Sequence, residues 1–139
     1  VALAVKLVNA LRDFAGTDNG ANLLAAYKRG ANILRIEEKK DGKSFNAADV
    51  QDALLKEQPE KDLAAALAPA AAKVKDLFAR EDYTGCMAAL SALRAPVDAF
   101  FDKIMVNAPE ADIRANRLSL LARLRDTMNT IADFSKIEG

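Results

Sequence analysis

The sequence lacks histidine entirely and contains a single cysteine among its 139 residues. Without histidine there is no histidine general base, no Ser-His-Asp triad and no histidine metal ligand. Cys86 cannot form an internal disulfide or supply a structural zinc site alone, so we predict a reducing, cytoplasmic setting. A glycine-rich phosphate loop is also absent, because the glycines are spaced as helix stops and turns. We therefore predict no catalytic residues and no metal or cofactor in this chain.

Net charge is also lacking, since 20 lysines and arginines balance 20 acidic residues and the pI is about 6.5. Proteins that bind nucleic acid usually present Lys and Arg to phosphates, so composition alone suggests neither RNA nor DNA. No apolar run is long enough to cross a membrane, and no membrane partner is expected. The content of 51% hydrophobic and 29% charged residues is typical of a globular domain. Because the chain begins at Val1 rather than at a methionine, within a predicted helix, we expect residues 1–139 to be one domain of a longer protein.

Helical periodicity runs through the whole chain. No segment alternates apolar and polar residues for long, so strands are not expected. Thr17 and Asp82 suit helix N-caps, and Pro59 suits a first helical position. A short helix is expected after Asn46, to about residue 55. Pro69 is expected to kink or split its alanine-rich helix, and the last helix is expected to span about residues 110–135. We predict an all-α fold, a single bundle of about six to seven helices.

A basic stripe follows the second predicted helix, at about residues 20–40. With about 100° between successive residues, one face carries Lys28, Asn32, Arg35 and Lys39, with Arg29 and Tyr27 beside it. Cations with an amide suit phosphate contacts plus a hydrogen bond to the edge of an unstacked base. The alternative is an ordinary solvated face, on which neighbouring glutamates balance Arg35 and Lys39.

Arg117 is predicted to be buried on the apolar face of the final helix. That face is formed by Leu121, Leu124 and Met128. A buried arginine needs a carboxylate or several carbonyl acceptors. We predict a buried ion pair with Asp98 or Asp102 on the preceding helix, in preference to a direct RNA contact. Arg114 and Arg123 project elsewhere and are predicted to contact solvent or phosphate.

Two aromatic residues are candidates for stacking on unpaired bases. Tyr27 adjoins the basic stripe, and Phe101 lies on the other side of its helix from Phe100. The remaining phenylalanines at core-facing positions are expected to pack in the interior. These are Phe14, Phe78, Phe100 and Phe134.

The last third of the chain carries a family resemblance. Residues 96–136 read PVDAFFDKIMVNAPEADIRANRLSLLARLRDTMNTIADFSK, a short helix opened by proline, a polar elbow and a long Leu/Arg helix. This run closely resembles the C-terminal helices of the DALR-type anticodon-binding domain, named for an Asp-Ala-Leu-Arg signature. Arginyl-tRNA synthetases carry that domain, as does the β subunit of the bacterial two-subunit glycyl-tRNA synthetase. In residues 22–40 the spacing of LLAAYKR and NILR resembles the glycyl β subunit, and Asn9-Ala10-Leu11-Arg12 resembles the signature with asparagine for aspartate.

The resemblance implies a domain that binds the anticodon arm of glycine tRNA and is not an enzyme by itself. Aminoacylation would occur in the separate α subunit, a second partner, which would bind ATP, Mg²⁺ and glycine. Two alternatives remain open. One is the equivalent domain of an arginyl enzyme, against which the Tyr27-Lys28-Arg29 region argues. The other is a structural helical module that docks subunits without contacting RNA, which the zero net charge and high alanine content favour.

Overall fold

The computed structural model describes residues 2–132, with side chains from residue 5 onward, as six α-helices and two 3-10 turns. The helices are α1 (Ala2–Ala15), α2 (Asp18–Asp41), α3 (Gln58–Ala79), α4 (Tyr83–Ser91), α5 (Arg94–Lys103) and α6 (Ala111–Asn129). The 3-10 turns, Ala47–Asp49 and Asp52–Leu54, connect α2 to α3. Over the described residues there is no strand, so the predicted all-α class is confirmed. In the same residues no helix combines the length and apolarity needed to span a bilayer.

Local capping sets most helix boundaries. The hydroxyl of Thr17 accepts a hydrogen bond from the Gly20 N–H at 2.9 Å, and Asp82 accepts one from the Gly85 N–H at 2.9 Å. Both predicted N-caps are therefore confirmed. At the other end of α2, Gly42 adopts a left-handed φ of 68°, which glycine enters at no steric cost, and its N–H donates to the Glu38 carbonyl.

Three predicted boundaries are wrong or incomplete. Pro69 does not split α3. Proline has no N–H to donate to the Ala65 carbonyl, but both residues are exposed, so water can bind that carbonyl instead. The helix expected after Asn46 is instead the two 3-10 turns. Helix α6 ends at Asn129, where a tight bond from the Ile131 N–H to the Met128 carbonyl closes the last turn. Residues 133–139, including the predicted core residue Phe134, lie outside the described part of the chain.

Helix α6 lies at the centre of the bundle. Residues 116–122 are all buried, which is the pattern of a helix covered on every side. It packs against α2, α3 and the first 3-10 turn, and fully buried leucines such as Leu23 of α2 and Leu63 of α3 meet it in one core. Because α2 turns its apolar side toward this core, its opposite side is exposed along much of the helix.

Candidate nucleic-acid interface

The exposed side of α2 carries the predicted basic stripe. We call Lys28, Arg29, Asn32, Arg35 and Lys39 the cationic face. All are exposed except Lys28, which is half-buried, and Arg35 Nη2 donates to Asn32 Oδ1 at 2.6 Å. Within residues 2–132 neither Arg35 nor Lys39 forms an ion pair with a neighbouring glutamate. The charges of Arg35 and Lys39 are therefore accessible to a partner.

Arg29 and Phe101 form a contact between α2 and α5. The guanidinium carbon of Arg29 lies 4.7 Å from the centre of the Phe101 ring, a cation–π arrangement. Phe100 meets Phe101 edge to face, with centroids 5.7 Å apart and an interplanar angle of 80°. Phe100 is fully buried and Phe101 half-buried, so the core residue fixes the orientation of its partly exposed neighbour.

A groove opens beside this pair, between α2 and α5, with a volume of about 820 Å³. The side chains of α2 that line it are Asn22, Ala25, Ala26 and Arg29, and those of α5 are Asp98, Ala99, Phe101, Asp102 and Lys103. The groove thus combines a planar cation, an aromatic ring, carboxylates and an amide. Asp98 and Asp102 were predicted to be buried partners of Arg117, but both are exposed and line this groove.

Tyr27 is not a stacking surface, and that prediction is wrong. Its side chain is only 3% exposed, and its hydroxyl donates to Asn129 Oδ1 at 2.7 Å. The turn of α2 that carries Tyr27 faces α6, so the ring belongs to the core while Lys28 and Arg29 next to it face outward.

Arg114 is also not an accessible phosphate contact, contrary to the prediction. Its guanidinium donates to Glu37 at 2.7 Å, to Asp41 at 2.7 Å and to Asn107 at 2.6 Å, and its side chain is 16% exposed. The hydrogen bonds that Arg114 donates to Asp41 and then to Glu37 raise the pKa of Arg114, and the bond that Asp41 accepts lowers the pKa of Asp41. Arg114 therefore fastens the end of α2 to the start of α6.

Arg117 is buried, but its predicted partners are wrong. It donates to Glu60 at 3.0 Å, to Glu57 at 2.9 Å and to the Met105 carbonyl at 2.6 Å. Burial acts to lower the pKa of Arg117, but the hydrogen bond and charge of Glu60, helped by Glu57, outweigh it and raise the pKa. Asp98 instead pairs with Arg94 at 3.4 Å on its own helix, because α5 turns this side toward α2 rather than α6.

Two further side chains of α6 hold the segment between α2 and α3. Arg123, predicted to contact phosphate or solvent, is half-buried and donates to the Ala47 carbonyl at 3.0 Å. Asn116 accepts from the Gln51 N–H at 2.6 Å and donates to the Gln51 carbonyl at 3.1 Å. The sequence analysis missed Asn116, although a polar amide within the run of buried residues in α6 is a signal for such a bond.

Comparison with known proteins places these features in a family context. The family model described as "DALR anticodon binding domain" matches residues 23–138. The near-signature at Asn9-Ala10-Leu11-Arg12 lies outside the matched residues.

Three similar proteins are each named as the β subunit of glycine–tRNA ligase. The chain is 58% identical over 139 residues to that of Rhodospirillum centenum, covering 100% of this chain and 20% of that protein. It is 48% identical over 132 residues to that of Methylobacillus flagellatus, covering 95% and 18%. It is 46% identical over 135 residues to that of Phenylobacterium zucineum, covering 97% and 20%. The chain thus spans about a fifth of the length of these relatives.

Proposed function

Because the chain belongs to the DALR anticodon-binding domain family, we propose that it binds the anticodon arm of a tRNA, and that this is glycine tRNA. The observation that carries RNA binding is the exposed cationic face of α2, on which Arg35 and Lys39 form no ion pair within residues 2–132. The choice of glycine tRNA follows from the names of the similar proteins, which favour the glycyl over the arginyl alternative.

Binding combines two kinds of contact on the cationic face. Lys28, Arg35 and Lys39 contact phosphates, which position the RNA without reading its sequence. The amide of Asn32, whose oxygen Arg35 orients, contacts a base edge in an unstacked loop. Because the chain has zero net charge, this local face neutralises only a few phosphates and the domain alone binds weakly.

The same proposal assigns the domain a place in a larger enzyme. It is a domain of a glycine–tRNA ligase β subunit and supplies tRNA affinity to glycine–tRNA ligation in the cytoplasm. The catalytic site, with ATP, Mg²⁺ and glycine, is in the α subunit, which is its protein partner. The 139-residue domain contributes no catalytic residue.

A salt titration tests the proposal directly. Fluorescence anisotropy of labelled glycine tRNA with the 139-residue chain should give an affinity that falls steeply between low and physiological salt, since cations displace counterions from phosphates. A tRNA with another anticodon should bind more weakly. The absence of any binding at low salt would contradict the proposal and favour the module that only docks subunits.

Removing charge from the cationic face locates the contact. The double substitution Arg35→Ala, Lys39→Ala should weaken glycine and other tRNAs alike and reduce the slope of log K against log salt by about 0.7–0.9 per charge removed. Lys73→Ala, Lys75→Ala on α3 is the matched control, since both lysines are exposed on a helix and carry the same total charge. An equal loss in both double variants would show that binding is not localised on α2.

A further inference from the structure

The groove between α2 and α5 has the size of a small-ligand site. Its volume of about 820 Å³ lies in the range of about 300–1,000 Å³ that small-molecule sites occupy. The Arg29 end of the groove is part of the cationic face, so RNA held by that face has the groove directly beside it. No residue of the groove is used by the buried ion pairs of α6.

One end of the groove is a stacking platform, where Arg29 of α2 meets Phe101 of α5. The Arg29 guanidinium is held over the Phe101 ring at 4.7 Å, and Phe100 supports that ring from the core side. Guanidinium planes and aromatic rings are the protein surfaces on which splayed bases stack. The pair is therefore arranged before any ligand arrives, which lowers the entropy cost of binding a base.

The α5 side of the groove offers hydrogen-bond acceptors, the exposed carboxylates of Asp98 and Asp102. Among residues 2–132, Asp102 has no ion-pair or hydrogen-bond partner, and Asp98 pairs only with Arg94, whose Nε lies 3.4 Å from Asp98 Oδ2. An ionised carboxylate only accepts hydrogen bonds. It therefore favours a base edge that carries an exocyclic amine, and the N4 amine of cytosine is the usual partner of an aspartate. Uracil presents a carbonyl oxygen at the same position, which a carboxylate repels.

We propose that the groove between α2 and α5 binds an unpaired cytosine of the RNA, stacked on the Arg29 guanidinium that Phe101 supports, with its N4 amine donating to Asp102. Asn22 and Lys103, at the sides of the groove, are donors for the ring nitrogen and carbonyl oxygen of the same base. This inference rests on the proposed RNA binding, but it concerns base choice rather than affinity for phosphates.

The test compares two hairpin RNAs that differ only in having cytosines or uracils in the loop. At fixed salt, the cytosine hairpin should bind the chain about tenfold more tightly, as expected for a hydrogen bond to a charged acceptor. Asp102→Asn should remove this preference, because an amide can also donate to the uracil oxygen, and should leave the salt slope unchanged. Asp62→Asn, an exposed aspartate on α3, is the matched control and should keep the preference.

Two further variants test the platform. Phe101→Leu should weaken both hairpins about equally, and Arg29→Lys, which keeps the charge but loses the planar group, should do the same without altering the salt slope. Circular dichroism checks that each variant keeps its helices. If both hairpins bind the wild type equally well with a steep salt dependence, the base-selective groove is wrong while RNA binding stands. If neither hairpin nor glycine tRNA binds, both proposals fail.

Discussion

At the scale of single residues, three arginines of α6 show how context separates side chains that look alike in sequence. Arg114 is fixed by carboxylates of α2, Arg117 by carboxylates of α3, and Arg123 by the carbonyl of Ala47. All three therefore hold neighbouring segments to the central helix. The accessible cations of the proposed interface are on α2 instead, where Arg35 and Lys39 form no ion pair with nearby glutamates within residues 2–132.

We predict that Arg117→Ala lowers the free energy of unfolding by about 3 kcal/mol or more, because it leaves the fully buried Glu60 carboxylate without its cation. Urea denaturation followed by circular dichroism measures the change. Arg125→Ala should change it by less than about 1 kcal/mol, since that arginine pairs only with its exposed neighbour Asp126. Arg123→Ala should fall between them, at about 1 kcal/mol for the lost bond to Ala47.

The buried-pair interpretation of Arg117 has its own control. A combined Arg117→Met, Glu60→Gln variant removes both charges and should recover much of the stability lost in Arg117→Ala. If the unfolding curves of Arg117→Ala and wild type coincide, the substitution does not leave Glu60 buried and unpaired, and the interpretation is wrong.

The contact between Arg114 and Asp41 predicts a pH dependence of stability. The hydrogen bond from Arg114 lowers the pKa of Asp41 below its ordinary value of 3.8. A carboxyl with a lowered pKa stabilises the fold fully above the unfolded pKa, at about pH 4 for aspartate, and this contribution disappears as the pH falls through the folded pKa. The difference in Tm between wild type and Asp41→Asn should therefore be largest near pH 7 and shrink below about pH 4.

Asp102→Asn is the matched control for this pH series, because Asp102 has no hydrogen-bond partner among the described residues. Its Tm difference from wild type should not change in step with that of Asp41→Asn. If the difference in Tm between wild type and Asp41→Asn stays constant from pH 7 to below pH 4, the contact with Arg114 is not the source of that difference.

At the scale of elements, α1 and α2 meet so closely that one glycine is required. A Cβ placed on Gly20 would lie 1.7 Å from the carbonyl oxygen of Phe14, a backbone atom that cannot move without separating the helices. The hydroxyl of Thr17, which caps α2, would also be 2.9 Å away. The junction of the first two helices thus depends on the absence of a side chain.

We predict that Gly20→Ala destabilises the domain by about 2–3 kcal/mol, as expected when a well-packed contact is overfilled. Gly30→Ala, in the same helix, is the matched control. Its Cβ would meet only side chains, Leu121 and Phe101 at 3.6 Å, and alanine gains about 1 kcal/mol of helix propensity over glycine. Gly30→Ala should therefore be neutral or stabilising by denaturant unfolding. Equal effects of the two substitutions would contradict the close approach of α1 and α2.

The elements also show why some features can be predicted from sequence and others cannot. The caps at Thr17 and Asp82 are local, since each bonds a group three residues away, and both were predicted. The partner of Arg117 is not local: Glu60 lies 57 positions earlier, and the prediction chose acids on the helix nearest in sequence. A signal was present, because Glu60 continues the buried stripe of Leu63 and Leu67 on α3.

The candidate interface follows the same division. The spacing of cations along α2 defines one face, so the exposure of Asn32, Arg35 and Lys39 could be predicted from one helix alone. The burial of Tyr27 and the pairing of Arg29 with Phe101 depend on how α2 packs on α6 and α5, which helical periodicity does not reveal.

At the scale of the whole molecule, α6 packs against two halves, α1–α2 and α3–α5, which also contact each other where α1 meets α4 and α2 meets α5. Arg114 and Tyr27 link it to α2, and Arg117 links it to the start of α3. The same core leucines are shared by both sides. We therefore predict that the domain unfolds in a single cooperative transition, because neither half can lose its packing without exposing α6.

The two tyrosines make this prediction testable, since the chain has no tryptophan. In Tyr83→Phe the remaining Tyr27 reports on the contact of α2 with α6, and in Tyr27→Phe the remaining Tyr83 reports on the packing of α4 beside Phe78. For each variant, the urea unfolding curve measured by tyrosine fluorescence should coincide with the curve measured by circular dichroism, which reports the loss of helix. Tyr27→Phe should lower the free energy of unfolding by about 1 kcal/mol, because the hydrogen bond to Asn129 is lost, and both curves should move together to lower urea concentration. A Tyr83 transition that precedes the loss of helix would instead show that α4 separates from the bundle before α6 does.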